Sequence, residues 1–435
     1  MATLFTNVTA LLMDGGFTTL RGGFVAVEGT DISYVGQERP QGDFSRIIDC
    51  TGKVMMPGFV NCHTHVPMTL MRGYGGGHDL QTWLNDYIFP AEAKWDDRAI
   101  AAAAGLGLAE MIASGVTCIA DMYMRMGVVA RQVYDAGISA NLSVGGVYFG
   151  DPADFNPDTC GDCANMRALY EEWHGAGGGQ ILADASIHGE YTSSAPLWRW
   201  MADYAQAHKL GMHVHISETV KEHEECKARH NGLTPIQTLD QYGVWDCGRS
   251  IAAHCVYTTP EDWAVMREKG VSCVHNPYSN LKLGSGIAPI PAMLKAGVNV
   301  ALGTDGVSSH NSVDPFADMK LAAVLHNGAA RDPMAMTARQ ALEMATAGGA
   351  KALGRNTGRI EAGAAADLIL VDFDAPNLIP CHDEAENLVF SAHGSNVWMN
   401  MARGKVIYQD GDFLTLDLER IKAEVRQYAL PLMFR

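Results

Sequence analysis

Nowhere does the chain approach the roughly 20 consecutive apolar residues that a membrane span requires. Its first residues, MATLFTNVTALLMDGGF, also lack the basic segment followed by a long apolar one that marks a secretory leader. A cytoplasmic protein is expected. Positive charge is scarce as well: 32 Lys and Arg face 49 Asp and Glu, and the net charge of −17 repels the phosphates of nucleic acid and the anionic faces of membranes. Nucleic acid and membrane partners are therefore excluded, and a small neutral or cationic molecule fits better. The density of a disulfide scaffold is missing, because ten cysteines are scattered through 435 residues, so most should be reduced and buried. Cys160 and Cys163 in CGDC form the one suggestive pair, and without a second pair they read as a loop that holds no metal. Internal repeats and low-complexity linkers are absent too.

What is present is a globular composition, 47% hydrophobic and 19% charged, long enough for one large barrel or two to three ordinary domains. Residues 1–56 read as short strands, such as FVAVEGTDISYVG and RIIDCTGKVMMPG, broken by Gly and Asp turns: a small antiparallel sheet. The pattern then changes to apolar runs alternating with longer amphipathic stretches such as DDRAIAAAAGLGLAEMIASG and LWRWMADYAQAHKLG. The strand candidates are MPGFVNCHTH, VTCIADMY, ISANLSVGGVYF, ILADASIHG, GMHVHISE, SIAAHCV, VSCVHNP and NVALGTDG. Eight strands separated by helices predict an α/β fold, a (β/α)8 TIM barrel over 57–363. Residues 364–435 return to short strands and are expected to rejoin 1–56 in a small composite β-sandwich domain.

In such barrels the chemistry sits at the C-terminal ends of the strands. His63 and His65 stand one residue apart at the end of the first strand, where both side chains project to the same face. The later strand ends carry His188, His215 with Glu218, His254, His275 and Asp305. A lone histidine in a core strand is more often structural, but recurrence at successive strand ends points to one shared rim. Imidazole nitrogen with carboxylate oxygen suits Zn2+, and less specifically Fe2+ or Mn2+.

These residues carry a resemblance. HTH after the first strand, then HISE, AAHC, HNPYSNLKLGSG and GTDG in this order resemble the amidohydrolase superfamily over essentially the whole chain. PMTLMRG and LQTWLNDYIFPAE are similar to its branch of deaminases acting on S-adenosylhomocysteine and methylthioadenosine. The resemblance implies that His63, His65, His215 and Asp305 hold one divalent metal, most simply Zn2+, and that Glu218, His254 and Asp305 are catalytic. Such an ion can lower the pKa of water from about 15.7 to about 7, on the order of 12 kcal/mol that no side chain alone supplies. Glu218 would carry a proton from water to the ring nitrogen, while His254 and Asp305 orient the nucleophile and pass a proton to the leaving amine. Glu190, close to His188, leaves a second metal open. A homo-oligomer is the expected state.

The same resemblance implies that Trp83, Glu92 and His188 contact the substrate, with Glu92 on two ribose hydroxyls. The plainer readings are a core face for Trp83 and a solvated charge for Glu92. Relatives that use S-adenosylhomocysteine carry arginines around the third strand and its following loop, whereas here those segments contain none before Arg167 and several Asp. Burying a carboxylate without a charged partner is unfavourable by several kcal/mol, so methylthioadenosine, 5′-deoxyadenosine or adenosine is expected ahead of S-adenosylhomocysteine. Two alternatives stand beside this: a deaminase or hydrolase of a free base or triazine-type ring (guanine, cytosine, an oxidised purine, a chlorotriazine), and a non-catalytic binding protein. The intact set of polar strand ends argues against the last.

Overall fold

The structure, a computed structural model, describes residues 2–78 and 80–434. The chain opens with β1 (Ala2–Leu11), β2 (Thr19–Glu28), β3 (Asp31–Gly36), β4 (Arg46–Asp49) and β5 (Lys53–Pro57). It then builds β6 (Phe59–Thr64), β7 (Val116–Met122), β8 (Ser139–Ser143), β9 (Ile181–Ala183), β10 (Ala185–Ile187), β11 (Met212–Ile216), β12 (Ser250–His254), β13 (Val271–His275) and β14 (Val300–Leu302). The last strands are β15 (Leu368–Asp372), β16 (Val397–Ala402), β17 (Lys405–Gln409) and β18 (Asp412–Phe413).

Both ends of the chain share one nine-stranded sheet in the order β18-β17-β16-β15-β5-β1-β2-β3, with β4 on β1. Its two limbs enclose a core of their own, in which Phe5, Val25 and Ile32 meet Met55, Leu370 and Met401. The sheet is mixed rather than wholly antiparallel as expected. After the β1-β2-β3 meander the chain crosses back to the far side of β1, so β4 and β5 run parallel to it. The β16-β17 hairpin turns at Gly404, where φ is 72° and an added Cβ would lie 2.1 Å from the Gly29 carbonyl oxygen. Only glycine fits that approach.

Strands β6 and β7 are buried on both faces, the pattern of a covered parallel sheet. Parallel pairing runs β6-β7-β8-β9 and β10-β11-β12-β13-β14. All eight expected segments supply strands, the fourth one in two pieces. Its break falls at Asp184, whose carboxylate accepts from Asn141 Nδ2 at 2.7 Å and the Gly211 N–H at 2.9 Å and pairs with Arg249. The barrel closes where the Asp305 N–H donates to the His63 carbonyl at 2.9 Å and Asn61 Nδ2 donates to the Thr304 hydroxyl at 2.8 Å.

Among the helices that border the site are α1 (Asp97–Ala113), α2 (Met126–Ala136), α3 (Gly161–Trp173) and α4 (Val220–Arg229). Helix α1 starts at Asp96, whose side chain accepts the Ala99 N–H at 2.9 Å. The CGDC stretch is not a loop: a turn closed by the Cys160 N–H on the Asn156 carbonyl delivers Cys160 to the N-cap of α3 and buries Cys163 in its first turn. Near the end of the described chain, the helix Leu418–Glu424 seats on α1, with Ile421 against Gly105 and Arg98 paired to Glu424 at 2.7 Å. No described helix is long and apolar enough to cross a membrane.

Candidate functional site

Extended backbone carries His63 and His65 out of β6 on one face, and their rings sit 4.8 Å apart. The end of β11 adds His215, 4.8 Å from His63 by ring centre. Asp305 follows β14 with φ at 61°, and Ser217 (48°) and His254 (73°) leave their strands through the same left-handed region. Non-glycine residues held there cluster at functional sites.

Each donor is oriented from behind. The Nδ1–H of His65 donates to the Met122 carbonyl at 2.6 Å, and that of His215 to the His188 carbonyl at 2.5 Å. His63 Nδ1 lies 2.8 Å from His213 Nε2. The Nε2 atoms therefore face inward: those of His65 and His215 approach to 3.3 Å, and Asp305 Oδ1 stands 3.4 and 3.2 Å from the Nε2 atoms of His63 and His65. Asp305 Oδ2 is occupied by the Ser279 and Ser309 hydroxyls at 2.6 and 2.8 Å.

This set calls for one positive charge at its centre. Burial pushes His63 down to about 3 and His215 well below its ordinary value, so both are neutral donors. Burial depresses His65 as well, but the Asp305 carboxylate outweighs it and lifts His65 to about 9. Burial works to raise Asp305, yet the adjacent imidazoles of His63 and His65 hold it well below the carboxylate range. Buried His63 Nε2 has no hydrogen-bond partner. Three nitrogens and one carboxylate oxygen, each fixed by a partner behind it, fit a divalent ion such as zinc. The donors of His63, His65 and His215 lie within 4.8 Å of one another, as do those of His63, His254 and Asp305.

Glu218 and His254 flank this centre. Burial raises the Glu218 carboxyl, whose Oε1 accepts from the Ser285 hydroxyl at 3.2 Å while Oε2 lies 3.8 Å from His254 Nε2. His254 Nδ1–H donates to Asn280 Oδ1 at 2.8 Å, which turns Nε2 toward Glu218. A cavity of about 800 Å³ runs outward from these groups, and Trp83, Glu92 and His188 line it. Glu92 is no solvated charge: it is 6% exposed, takes a hydrogen bond from the Tyr123 hydroxyl, and is raised to about 7 by burial. Trp83 is buried in the cavity wall and also packs in the barrel core, so its two readings merge. His188 bonds through Nδ1 to the Thr192 hydroxyl at 3.1 Å.

Glu190 turns away from the imidazoles and pairs with His230 at 2.9 Å and with Arg229. His275 contacts His326 at 3.2 Å, and His310 pairs with Asp318 at 2.7 Å. Several contributors escape a sequence reading. His213 was marked by alternation in HVH, which puts it on the face of His215. Ser279, Asn280 and Tyr123 carry no such mark. Arginine does reach the cavity: Arg125 and Arg131 arrive from the segment after the second barrel strand, not from the third.

The profile of the Amidohydrolase family matches residues 54–407. A 5-methylthioadenosine/S-adenosylhomocysteine deaminase of Acetivibrio thermocellus is 38% identical over 434 residues, 99% of each chain. A 5′-deoxyadenosine deaminase of Methanosphaera stadtmanae is 40% identical over 377 residues, 87% of each. The crystal structure of an adenosine deaminase from Xanthomonas campestris with bound zinc superposes at a TM-score of 0.93, with 30% identity, 100% of this chain and 99% of that one. Likeness of this extent, in sequence and in fold, shows that the chain belongs to the amidohydrolase family.

Proposed function

We propose that the chain is a metal-dependent hydrolytic deaminase of adenine nucleosides, exchanging the 6-amino group for oxygen and releasing ammonia. The observation that carries this is the convergence of three inward-facing imidazoles and one carboxylate beside two further proton carriers, at the closed end of a cavity that also buries Glu92. His63, His65, His215 and Asp305 would hold the ion, Zn2+ by its donor set with Fe2+ and Mn2+ as alternatives, and bound there it would lower the pKa of water to about 7.

The remaining steps belong to the chain's own groups. Glu218, its carboxyl raised by burial, can carry a proton from the attacking water to a ring nitrogen, so that negative charge does not build up on the ring. His254, locked through Nδ1 by Asn280, presents Nε2 to orient the water with Asp305 and to protonate the leaving amine. Glu92 keeps one oxygen on Tyr123 and offers the other to ribose hydroxyls, with Trp83 and His188 as neighbouring walls. The relatives differ in their 5′ substituent and share the adenine nucleoside, which supports the shared part for this chain. Arg131 in the cavity lining supports a charged 5′ tail more than the sequence alone did, while Arg125 is paired with Asp97 at 2.5 Å. The net charge of −17 supports a small molecule over nucleic acid as partner. Residues 1–56 with 364–435 are proposed as one domain and 57–363 as the catalytic barrel.

Ammonia release by zinc-loaded protein tests the reading against adenosine, methylthioadenosine, 5′-deoxyadenosine, S-adenosylhomocysteine, guanine and cytosine. Turnover of the nucleosides ahead of the free bases is expected. Activity confined to guanine or cytosine refutes it.

A further inference from the structure

Glu222 has no part in the scheme above, yet it is 4% exposed and spends both carboxylate oxygens on the backbone that carries Glu218. Oε1 accepts the Ser217 N–H at 2.7 Å and Oε2 accepts the Glu218 N–H at 2.8 Å. Thr219 caps helix α4, which makes Glu222 its third residue. In the usual capping box a glutamate there turns back to the amide of the cap itself. Glu222 reaches further, across the exit of β11. The next residue joins in, with His223 Nδ1 lying 3.2 Å from the Ser217 hydroxyl. On the other side the Ser217 carbonyl accepts the Tyr257 N–H at 3.0 Å.

Ser217 is the residue held at φ 48°, and no strand pairing or helix bond fixes it. A β-carbon disfavours that conformation, so it persists only where its surroundings over-determine it. The Glu222 carboxylate and the Tyr257 amide bracket the turn from its two sides. Without the first, the Ser217–Glu218 peptide can relax toward ordinary extended backbone, and the Glu218 carboxylate then swings off the line between Ser285 and His254.

We propose that Glu222 is a positioning residue which clamps the left-handed turn at Ser217 and so aims the Glu218 carboxylate, acting on the reaction only through Glu218. The inference rests on the reading of Glu218 as proton carrier. It separates Glu222 from a plain core contact, because its effect disappears once Glu218 cannot carry a proton.

The test is a double-mutant cycle on the zinc-loaded enzyme with methylthioadenosine: wild type, E222Q, E218Q and the double variant, with kcat, KM and zinc content read for each. Gln in place of Glu222 sets an amide N–H against a backbone N–H. E222Q is expected to lose about 10- to 100-fold in kcat, the range for supporting residues and for small misplacements of a reacting group. KM should stay within about twofold and zinc at one per chain. The E218Q background should show no further loss. E222D keeps two accepting carboxyl oxygens on a shorter arm, and should recover part of the lost kcat; if E222Q does not fold, the same cycle is run on E222D, with a smaller loss expected. The proposal is overturned if the variant matches wild-type kcat, if it slows E218Q as much as wild type, or if its loss follows zinc content. Wild type inactive on every adenine nucleoside would instead refute the functional reading.

Discussion

Replacing Glu92 with Gln removes one titrating proton from a buried carboxyl while leaving the shape of the side chain almost unchanged. Burial raises that carboxyl from 4.5 to about 7, against the pull of the Tyr123 hydroxyl. A carboxyl whose folded pKa lies above its unfolded value binds its proton more tightly in the native state. Its contribution to stability is complete below about 4.5 and is lost as pH rises through about 7. At about 1.36 kcal/mol per pH unit that loss is ~3 kcal/mol. Gln never ionises, so E92Q should gain on wild type as pH rises from 5 and hold a constant advantage above 7. Urea unfolding of metal-free protein at half-unit steps from pH 5 to 8 reads the difference. The same variant should lose much of its kcat/KM on nucleosides, up to the roughly 10⁴-fold a site can impose on groups it was built to bond. A stability difference flat within about 0.5 kcal/mol across that range would show that Glu92 ionises normally, and the argument from its burial would fail.

Zinc binding near pH 6, below the value of about 7 expected of the bound water, should expel about one proton, because the ion replaces the one that Asp305 holds on His65. Calorimetry in buffers of different ionisation enthalpy measures that release, and an observed heat independent of buffer would contradict it. Arg131→Ala should raise KM for S-adenosylhomocysteine about tenfold, the worth of one charge-assisted bond, and leave methylthioadenosine unchanged in the same steady-state assay. Trp245 is fully buried and donates through Nε1 to the Ile236 carbonyl at 3.0 Å. Trp245→Ala should therefore lower unfolding free energy by about 3–5 kcal/mol, visible as a fall in the denaturant midpoint.

The barrel was legible because its strands are covered on both faces, so VTCIADMY and SIAAHCV stand out as apolar runs. The inward groups were legible for a related reason: polar side chains at the ends of such runs have few stable alternatives to a shared polar centre. What could not be read depends on closure in three dimensions. Ser279 and Ser309 sit in different loops, and nothing local says that both hydroxyls meet one Asp305 oxygen. Arg131 reaches the cavity from a helix whose sequence marks only an amphipathic face. The parallel placing of β4 and β5 beside β1 follows from a crossover that short strands do not announce. The break at Asp184 is held by Arg249 and Gly211 from the next two connections, so ILADASIHG alone reads as one strand.

The bond from the Asp305 amide to the His63 carbonyl joins the first barrel strand to the exit of the last. Two of the four donors thus flank the seam of the cylinder, and the centre comes into being in the same event that zips it shut. A ribosome-bound chain that has not yet emitted residue 305 owns no complete grip for an ion, however well its earlier strands have paired. Opening that seam in the finished protein would part these donors, so a bound ion should be lost no later than the barrel opens.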